Sequence, residues 1–230
     1  SERQKSMPAI SPANGPVVVT GASGYIGSWV VQDLAEQGYS VRACVRDQTR
    51  SEKVDHLLGM NEIGLRGSVE ICEGDVFKDG SYDKPFAGCA AVIHVAAPQG
   101  YNKETPQQVY DGGFTELQHI LGSSQKAGSV KRFVYTSSYA AVTYPCEDGY
   151  VFTEKDWADE HDEAYGGVWT EDNIPTHRHI AYKMAKSKSE RLLYKAAAED
   201  GTFEAMAILP AYVIGPVMCA NHDQGESFQY

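Results

Sequence analysis

The sequence predicts an α/β fold of the doubly wound type, in which a parallel sheet is covered by helices on both faces. Short apolar runs alternate along the chain with longer segments of helical periodicity. Parallel strands need crossover connections, which helices usually supply. In addition, a glycine-rich turn joins the first apolar run directly to the first helix, as is typical of doubly wound folds.

The first half of the chain contains four predicted strands. The first strand, at 16–20, is an apolar run that ends where the glycines begin. In the helix that follows, at 25–37, Val30 and Leu34 lie on one face, and Gly38 is placed as a C-cap. Further apolar runs predict strands at 39–45, 69–72 and 90–95, separated by helical segments at 51–58 and 81–86.

The second half continues the same alternation. A long helix at 105–127 precedes a strand at 132–135, and a second long helix at 179–198 precedes the last strand at 203–209. The region 145–176 lies between them; it is rich in acidic residues, glycine and tryptophan, and it is too long for an ordinary connection. We predict that it forms a loop over a site at the carboxyl ends of the strands.

The composition narrows the class of protein. At 230 residues with 42% hydrophobic content, the chain can form one sizeable core. The net charge of −11 argues against a nucleic-acid partner, because no basic face is available to replace counterions on a phosphate backbone. No apolar run approaches the ~18 residues of a membrane span, and the N-terminus lacks the apolar core of a signal peptide. We therefore expect a cytoplasmic protein with no membrane partner.

We expect a single domain at 15–230, preceded by a segment at 1–14 that is disordered or the remnant of a tag. The five cysteines are scattered and form no CxxC pair, and the seven histidines show no ligand spacing. The sequence therefore predicts no metal site. It is compatible with either a monomer or a homodimer.

The strongest local pattern is the glycine-rich turn after the first strand, which reads Gly-Ala-Ser-Gly-Tyr-Ile-Gly at 21–27. Three glycines between a buried strand and a helix provide a tight turn, a bare backbone that a diphosphate can approach, and a helix N-terminus that favours an anion. The alternative is a turn that only packs the helix against the strand. We favour a dinucleotide site formed by Gly21, Ser23, Gly24, Tyr25, Ile26 and Gly27.

The end of the second strand indicates which dinucleotide binds. NAD-specific sites usually end this strand with a carboxylate that accepts a hydrogen bond from the adenosine 2′-hydroxyl. Here the strand ends at Val45 and Arg46, and Lys53 follows on the next segment. A guanidinium and an ammonium suit a 2′-phosphate, so the sequence favours NADPH over NAD. The alternative is that both are solvated side chains near the acidic Asp47.

A second pattern is the YxxxK spacing of Tyr182 and Lys186 on the last helix, preceded along the chain by Ser138 just after the fifth strand. The i,i+4 spacing places the phenol and the ammonium on one helix face. There the positive charge stabilises the phenolate, which lets a tyrosine act as an acid or base near neutrality. The order of glycine turn, serine and YxxxK predicts an enzyme.

Together these motifs resemble the extended short-chain dehydrogenase/reductase family, and within it the branch of plant dihydroflavonol reductases, cinnamoyl-CoA reductases and fungal aldehyde or ketone reductases. The resemblance implies a Rossmann-type fold. It also implies that Ser138 hydrogen-bonds a substrate carbonyl, that Tyr182 donates a proton, and that Lys186 holds the nicotinamide ribose. The matching segments lie at 20–27, 45–47, 94–98, 136–138, 153–157, 182–186, 209–210 and 214–216.

The same resemblance implies the remaining cofactor contacts and one departure. Family members continue into a smaller lobe that completes the substrate pocket, and we expect this lobe to be largely absent here. Asp111 stands where many members place an asparagine. The implied contacts are Asp75 and Val76 with the adenine, Val95, Ala96 and Ala97 (with Pro98) beside a ribose, and Pro210 to Val213 beside the nicotinamide.

These observations predict an NADP-dependent oxidoreductase acting on CH–OH groups, which uses NADPH to reduce a small-molecule aldehyde, ketone or dihydroflavonol-like carbonyl. The segment around Tyr182 lacks the cinnamoyl-CoA reductase signature, and Thr143 stands at the position of the flavonoid contact, so the substrate remains open. Two alternatives remain open. One is a sugar-nucleotide epimerase or dehydratase with bound NAD, and the other is a sensor or scaffold that binds NADPH without turnover.

Overall fold

A computed structural model of the chain describes residues 9–97, 105–161 and 177–224. Every predicted strand and helix is present, with ends within two residues of the prediction. The strands are β1 (Val17–Thr20), β2 (Ser40–Val45), β3 (Ser68–Glu73), β4 (Ala91–His94), β5 (Arg132–Thr136) and β6 (Glu204–Ile208). The helices are α1 (Tyr25–Glu36), α2 (Ser51–Leu58), α3 (Asp83–Phe86), α4 (Pro106–Ala127) and α5 (Arg178–Asp200).

The six strands form one parallel sheet in the order β3-β2-β1-β4-β5-β6. At its centre, Thr20 of β1 pairs with Cys44 of β2 on one side and with His94 of β4 on the other. The strand order therefore reverses between β1 and β4. In sheets of this type the ligand binds at the carboxyl ends of the strands, beside the reversal.

Helices pack on both faces of the sheet, which confirms the predicted doubly wound class. On one face, α4 and α5 bury Val18, Val92 and Phe133. On the other face, α1 and α2 bury Val19 and Ala43. Strands buried on both faces read as continuous apolar runs, which is why the sequence of β1 shows no alternation. Each such buried aliphatic or aromatic side chain stabilises the fold by about 1.5–3 kcal/mol.

Within the described part of the chain, β5 and β6 are only partly covered on the α1 face of the sheet. Met206 and Ile208 of β6 are 43% and 51% exposed. A groove of about 680 Å³ runs along this face, between Trp29 of α1, Val134 of β5 and the segment 210–216. The sheet is therefore fully covered at β1 and β2 and incompletely covered at β5 and β6.

Local hydrogen bonds and backbone conformation explain where the long helix α4 begins and ends. The Thr105 hydroxyl accepts from the Gln108 N–H at 3.2 Å, and the Gln108 side chain accepts from the Thr105 N–H at 2.9 Å, which is a capping box. The helix ends at Gly128, which has φ of 63°. No helix among the described residues is both long and apolar enough to cross a lipid bilayer.

Two irregular segments predicted from the sequence are described in part. Of the N-terminal segment 1–14, which we expected to be disordered or a tag remnant, the structure describes residues 9–14, where the Ile10 carbonyl accepts from the Tyr39 hydroxyl at 2.8 Å. Of the predicted loop at 145–176, the structure describes residues up to 161. There the ring of Trp157 stacks against the guanidinium of Arg191 on α5, 4.2 Å away, which anchors this part of the loop.

Candidate active site

The glycine turn after β1 packs too tightly for a side chain at two of its three glycines. Gly21 has φ of +67°, and a Cβ built on it would lie 2.6 Å from the backbone nitrogen of Ala96. A Cβ on Gly27 would lie 2.1 Å from the carbonyl oxygen of Gly21. The lack of a side chain at Gly27 lets the first turn of α1 pack against the bend. The lack of a side chain at Gly21 lets the loop after β4 approach the same bend.

Gly24 differs because the space around it is mostly open. A Cβ there would meet one atom within 4 Å beyond its chain neighbours, the Gly21 carbonyl oxygen at 3.2 Å. No side chain caps α1, although the first N–H groups of a helix have no partners within the helix. Ser23, Tyr25 and Ile26 belong to the same bend and first turn. The bend can therefore bind an anion such as a diphosphate through backbone N–H groups.

Positive charge follows the end of β2. Arg46 is exposed directly after the strand, and Lys53 is half-buried in the first turn of α2. The carboxylate of Asp47 accepts from the N–H of Thr49 at 2.9 Å and from its hydroxyl at 2.6 Å. These hydrogen bonds hold the pKa of Asp47 below its ordinary value, so this acid stabilises its own turn.

The loop after β3 is held by two side-chain hydrogen bonds. The Asp75 N–H donates to the Ser81 hydroxyl at 2.8 Å. The carbonyl of the buried Val76 lies 2.8 Å from Nδ1 of His119 on α4. Both predicted adenine contacts therefore lie in an ordered loop at the same edge of the sheet as Arg46.

The loop after β4 is tied to β1, its neighbour at the strand reversal. The Val95 N–H donates to the Thr20 carbonyl, and the Ala96 N–H donates to the Thr20 hydroxyl, each at 3.3 Å. Ala97 is exposed, and Pro98 lies outside the described residues. Because these residues are small, this loop can approach the glycine bend as closely as the Gly21 contact requires.

Lys186 lies between the ring of Tyr182 and the carboxyl end of β5, the strand that Ser138 follows. The Lys186 ammonium lies 5.8 Å from the centre of the Tyr182 ring and donates to the Thr136 carbonyl at 3.3 Å. Ser138 follows two residues later; it is 7% exposed, and its hydroxyl accepts from the Ala140 N–H at 3.2 Å. Tyr182 is half-buried, so the structure leaves part of its side chain accessible beside the buried serine and lysine.

Lys186 is a fixed positive charge in the protein interior. It is 4% exposed, and its ammonium donates to the Tyr135 hydroxyl at 3.1 Å. Burial by itself lowers the pKa of this lysine, but the phenols of Tyr135 and Tyr182 and the carboxyl of Glu116 outweigh burial and raise its pKa above the ordinary value. The ammonium therefore stays protonated beside the phenol of Tyr182.

Glu116 on α4 is a buried acid that the sequence analysis missed. It is fully buried, and neither carboxyl oxygen has a hydrogen-bond partner. Burial raises its pKa to about 8, against the opposing effect of the Lys186 charge. The sequence could have revealed its burial, because the helical period places Glu116 on the same buried face as Ile120. Asp111, the acid that the sequence analysis named, is exposed and accepts from Gln107 at 2.8 Å.

Two further pairs of buried polar side chains lie at the strand ends beneath the site. The Ser137 hydroxyl donates to the carboxyl of Glu190, which lies one turn after Lys186 on α5. The ring of His94 at the end of β4 lies 2.6 Å from the Thr20 hydroxyl, and burial lowers its pKa to about 3, so it stays neutral. These contacts fix the strand ends from which Ser138 and the β4 loop emerge.

The segment after β6 lies between the Ser138 side of the sheet and the glycine bend. The Pro210 carbonyl accepts from the Tyr139 N–H at 3.0 Å, next to Ser138. Val213 lines the groove on the α1 face together with Tyr25 and Ile26 of the glycine bend. The predicted nicotinamide contacts therefore lie between the glycine bend and the Ser138 side of the sheet.

A parallel sheet in this strand order, with a glycine bend at its reversal, defines a nucleotide-binding protein of the Rossmann class. A model of the NAD dependent epimerase/dehydratase family matches residues 17–228. The chain therefore belongs to this family, the extended short-chain dehydrogenase/reductases, as its motifs predicted.

Several of the proteins to which the chain is similar are reductases. A dihydroflavonol 4-reductase of Hordeum vulgare is 33% identical over 212 residues, which are 90% of this chain and 55% of that protein. Cinnamoyl-CoA reductase CAD2 of Medicago truncatula is 34% identical over 206 residues, 88% of this chain and 59% of that protein. The crystal structure of Gre2 in complex with NADPH from Candida albicans superposes with a TM-score of 0.73 at 25% identity, covering 88% of this chain and 59% of that one. The chain thus spans little more than half the length of these relatives.

Proposed function

We propose that this protein is an NADPH-dependent reductase that transfers hydride to the carbonyl of a small molecule, with residues 15–230 as its nucleotide-binding domain. The observation that supports this most directly is the buried Lys186 ammonium, 5.8 Å from the Tyr182 ring and beyond the same strand edge as the glycine bend. The reductase relatives, including a Gre2 structure that contains NADPH, support the same assignment.

The residues present fit a dinucleotide phosphate. The open backbone at Gly24 and the uncapped first turn of α1 suit a diphosphate, with Gly21, Ser23, Tyr25, Ile26 and Gly27 shaping the bend. Arg46 and Lys53 supply cations for a 2′-phosphate. We assign the adenine to Asp75 and Val76, the ribose region to Val95, Ala96, Ala97 and Lys186, and the nicotinamide end to Tyr182, Pro210 and Val213. When bound, the nicotinamide supplies the hydride.

Side chains of the protein bind the carbonyl oxygen of the substrate and donate the proton to it. The Ser138 hydroxyl donates a hydrogen bond to the substrate carbonyl oxygen and so holds it in place. The Tyr182 hydroxyl gives its proton to the same oxygen as negative charge develops there. The phenolate that remains on Tyr182 is stabilised by the protonated Lys186, which Tyr135 and Thr136 hold in position. Lys186 thus helps the proton transfer without losing its own proton.

The test is NADPH oxidation by the full chain against a panel of aldehydes, ketones and a dihydroflavonol. We expect Tyr182→Phe to lower turnover by at least ~10²-fold, as expected for loss of a general acid, while NADPH binding is retained. Tyr194→Phe is the matched control, because Tyr194 lies on the same helix and is 40% exposed.

Three outcomes would contradict the proposal. An equal loss of turnover in Tyr182→Phe and Tyr194→Phe would show that Tyr182 is not the general acid. NADPH binding without turnover of any carbonyl would favour the sensor or scaffold instead. Tightly retained NAD, found on purification, would favour an epimerase or dehydratase.

A further inference from the structure

Three side chains with metal-binding atoms meet beside α1. His56 comes from the last turn of α2, and Cys219 and His222 come from the segment after β6. One ligand atom of each lies within 4.8 Å of those of the other two. His222 is buried and the other two are half-buried, and no other group of this kind occurs in the part of the chain that the structure describes.

The hydrogen bonds of Ser28 fix the proton on His56. The Ser28 hydroxyl lies 2.9 Å from each of three atoms, the carbonyl oxygens of Ala22 and Gly24 and Nε2 of His56. It has one proton, and a carbonyl can only accept, so the hydroxyl donates to a carbonyl and accepts from Nε2–H of His56. The lone pair of this imidazole is then on Nδ1, which is buried and has no hydrogen-bond partner.

His222 shows a similar arrangement. Its Nε2 lies 3.3 Å from the carbonyl oxygen of Ser23, which can only accept, so Nε2 carries the proton. The same Nε2 lies 3.4 Å from the Ser28 hydroxyl, and Nδ1 accepts a hydrogen bond from the Met218 N–H at 3.3 Å. His56 thus has the arrangement that outer groups impose on metal-binding imidazoles, a ring N–H held by a hydroxyl and a free lone pair on the other nitrogen. In His222 the lone pair of Nδ1 has to exchange the Met218 N–H for the ion.

We propose that His56, Cys219 and His222 bind a divalent transition-metal ion of the zinc type, with water as the fourth ligand. Two imidazoles and a thiolate favour such an ion over magnesium or calcium. In a tetrahedral site with bonds of about 2.0–2.3 Å, ligand atoms are about 3.3–3.6 Å apart, so the ligand atoms need to approach one another by no more than about 1.5 Å when the ion binds. The ion links the segment 219–222 to α2, beside the glycine bend.

The test is a titration of the metal-free full chain with Co²⁺, which reports its ligands by absorption. We expect one equivalent to produce visible bands of tetrahedral cobalt and a near-ultraviolet band from thiolate-to-cobalt charge transfer. Cys219→Ser should remove the thiolate band, and His222→Gln should weaken Zn²⁺ binding by more than ~100-fold, the upper range for losing an outer-shell partner. Cys146→Ser, at an exposed cysteine, is the control and should behave as wild type.

Thermal unfolding gives a second, independent measurement. Zn²⁺ should raise the Tm of wild type and of Cys146→Ser, but not that of Cys219→Ser. If His222→Gln does not fold, the wild-type and Cys219→Ser spectra and Tm values decide the question. An octahedral cobalt spectrum without a thiolate band, or equal Zn²⁺ binding by wild type and Cys219→Ser, overturns the proposal. NADPH oxidation plays no part in these measurements, so failure of the proposed reductase activity leaves this test unaffected.

Discussion

Replacing Glu116 with glutamine should make the protein progressively more stable than wild type as the pH rises from 5 to 7. Burial raises the pKa of Glu116 from 4.5 to about 8 in the folded protein. A carboxyl whose pKa is higher in the folded state binds more protons when folded. Its contribution to stability is therefore fully present below the unfolded pKa and is lost as the pH rises through the folded pKa.

The size of this effect follows from the two pKa values. Each pH unit between them costs the folded wild type up to about 1.4 kcal/mol, because the unfolded chain releases a proton that the folded chain keeps. Between pH 5 and pH 7 the free energy of unfolding of wild type should fall by about 2.5 kcal/mol relative to the glutamine variant. The other titrating groups cancel in this difference, except those that face Glu116, which are Lys186, Tyr135 and Tyr82.

Urea unfolding of both proteins at pH 5, 6 and 7 measures the difference. Glu62→Gln is the control, because Glu62 is exposed. If the difference for Glu116→Gln stays constant within ~0.5 kcal/mol, the reasoning is refuted. The Glu116 carboxylate would then be ionised in the folded protein and paired with Lys186.

Two further predictions concern the nucleotide site. Gly27→Ala should destabilise the protein by about 1–3 kcal/mol in urea unfolding, because its Cβ would lie 2.1 Å from the backbone oxygen of Gly21. Gly122→Ala, at an exposed position of α4 with nothing within 4 Å, should instead be neutral or stabilising by up to ~1 kcal/mol, and equal losses in both would contradict the packing argument. Arg46→Ala should weaken NADPH binding by about 10–100-fold and leave NADH binding nearly unchanged, as measured by fluorescence titration. Arg50→Ala is the control, and a parallel loss for both nucleotides in Arg46→Ala would mean that Arg46 does not select the 2′-phosphate.

The elements of the fold were predictable because their signals are local. Parallel strands buried on both faces appear as continuous apolar runs, and helices end at glycines such as Gly128, whose φ is positive. The YxxxK pair was predictable for the same reason, since one helical turn places Tyr182 and Lys186 on the same face. The functional roles of these residues remain predictions.

The partners of these residues were not predictable in the same way. Asp111 drew attention only as a departure from the family's asparagine, and the acid that faces Lys186 is Glu116, one and a half turns later on α4. Which face of α4 meets α5 depends on how the two helices pack, and spacing within one helix does not specify this. The cluster of His56, Cys219 and His222 was missed because its members are distant along the chain.

The sequence alone determined the strand-helix alternation, the glycine bend and the Tyr182–Lys186 pair, because each depends on residues a few positions apart. Only the tertiary structure decided which charges share the interior with Lys186, which strand faces are covered, and which distant ligands meet. These outcomes depend on burial and on contacts across the sheet. Burial shifts a pKa or leaves a lone pair without a partner only after the chain has folded around it.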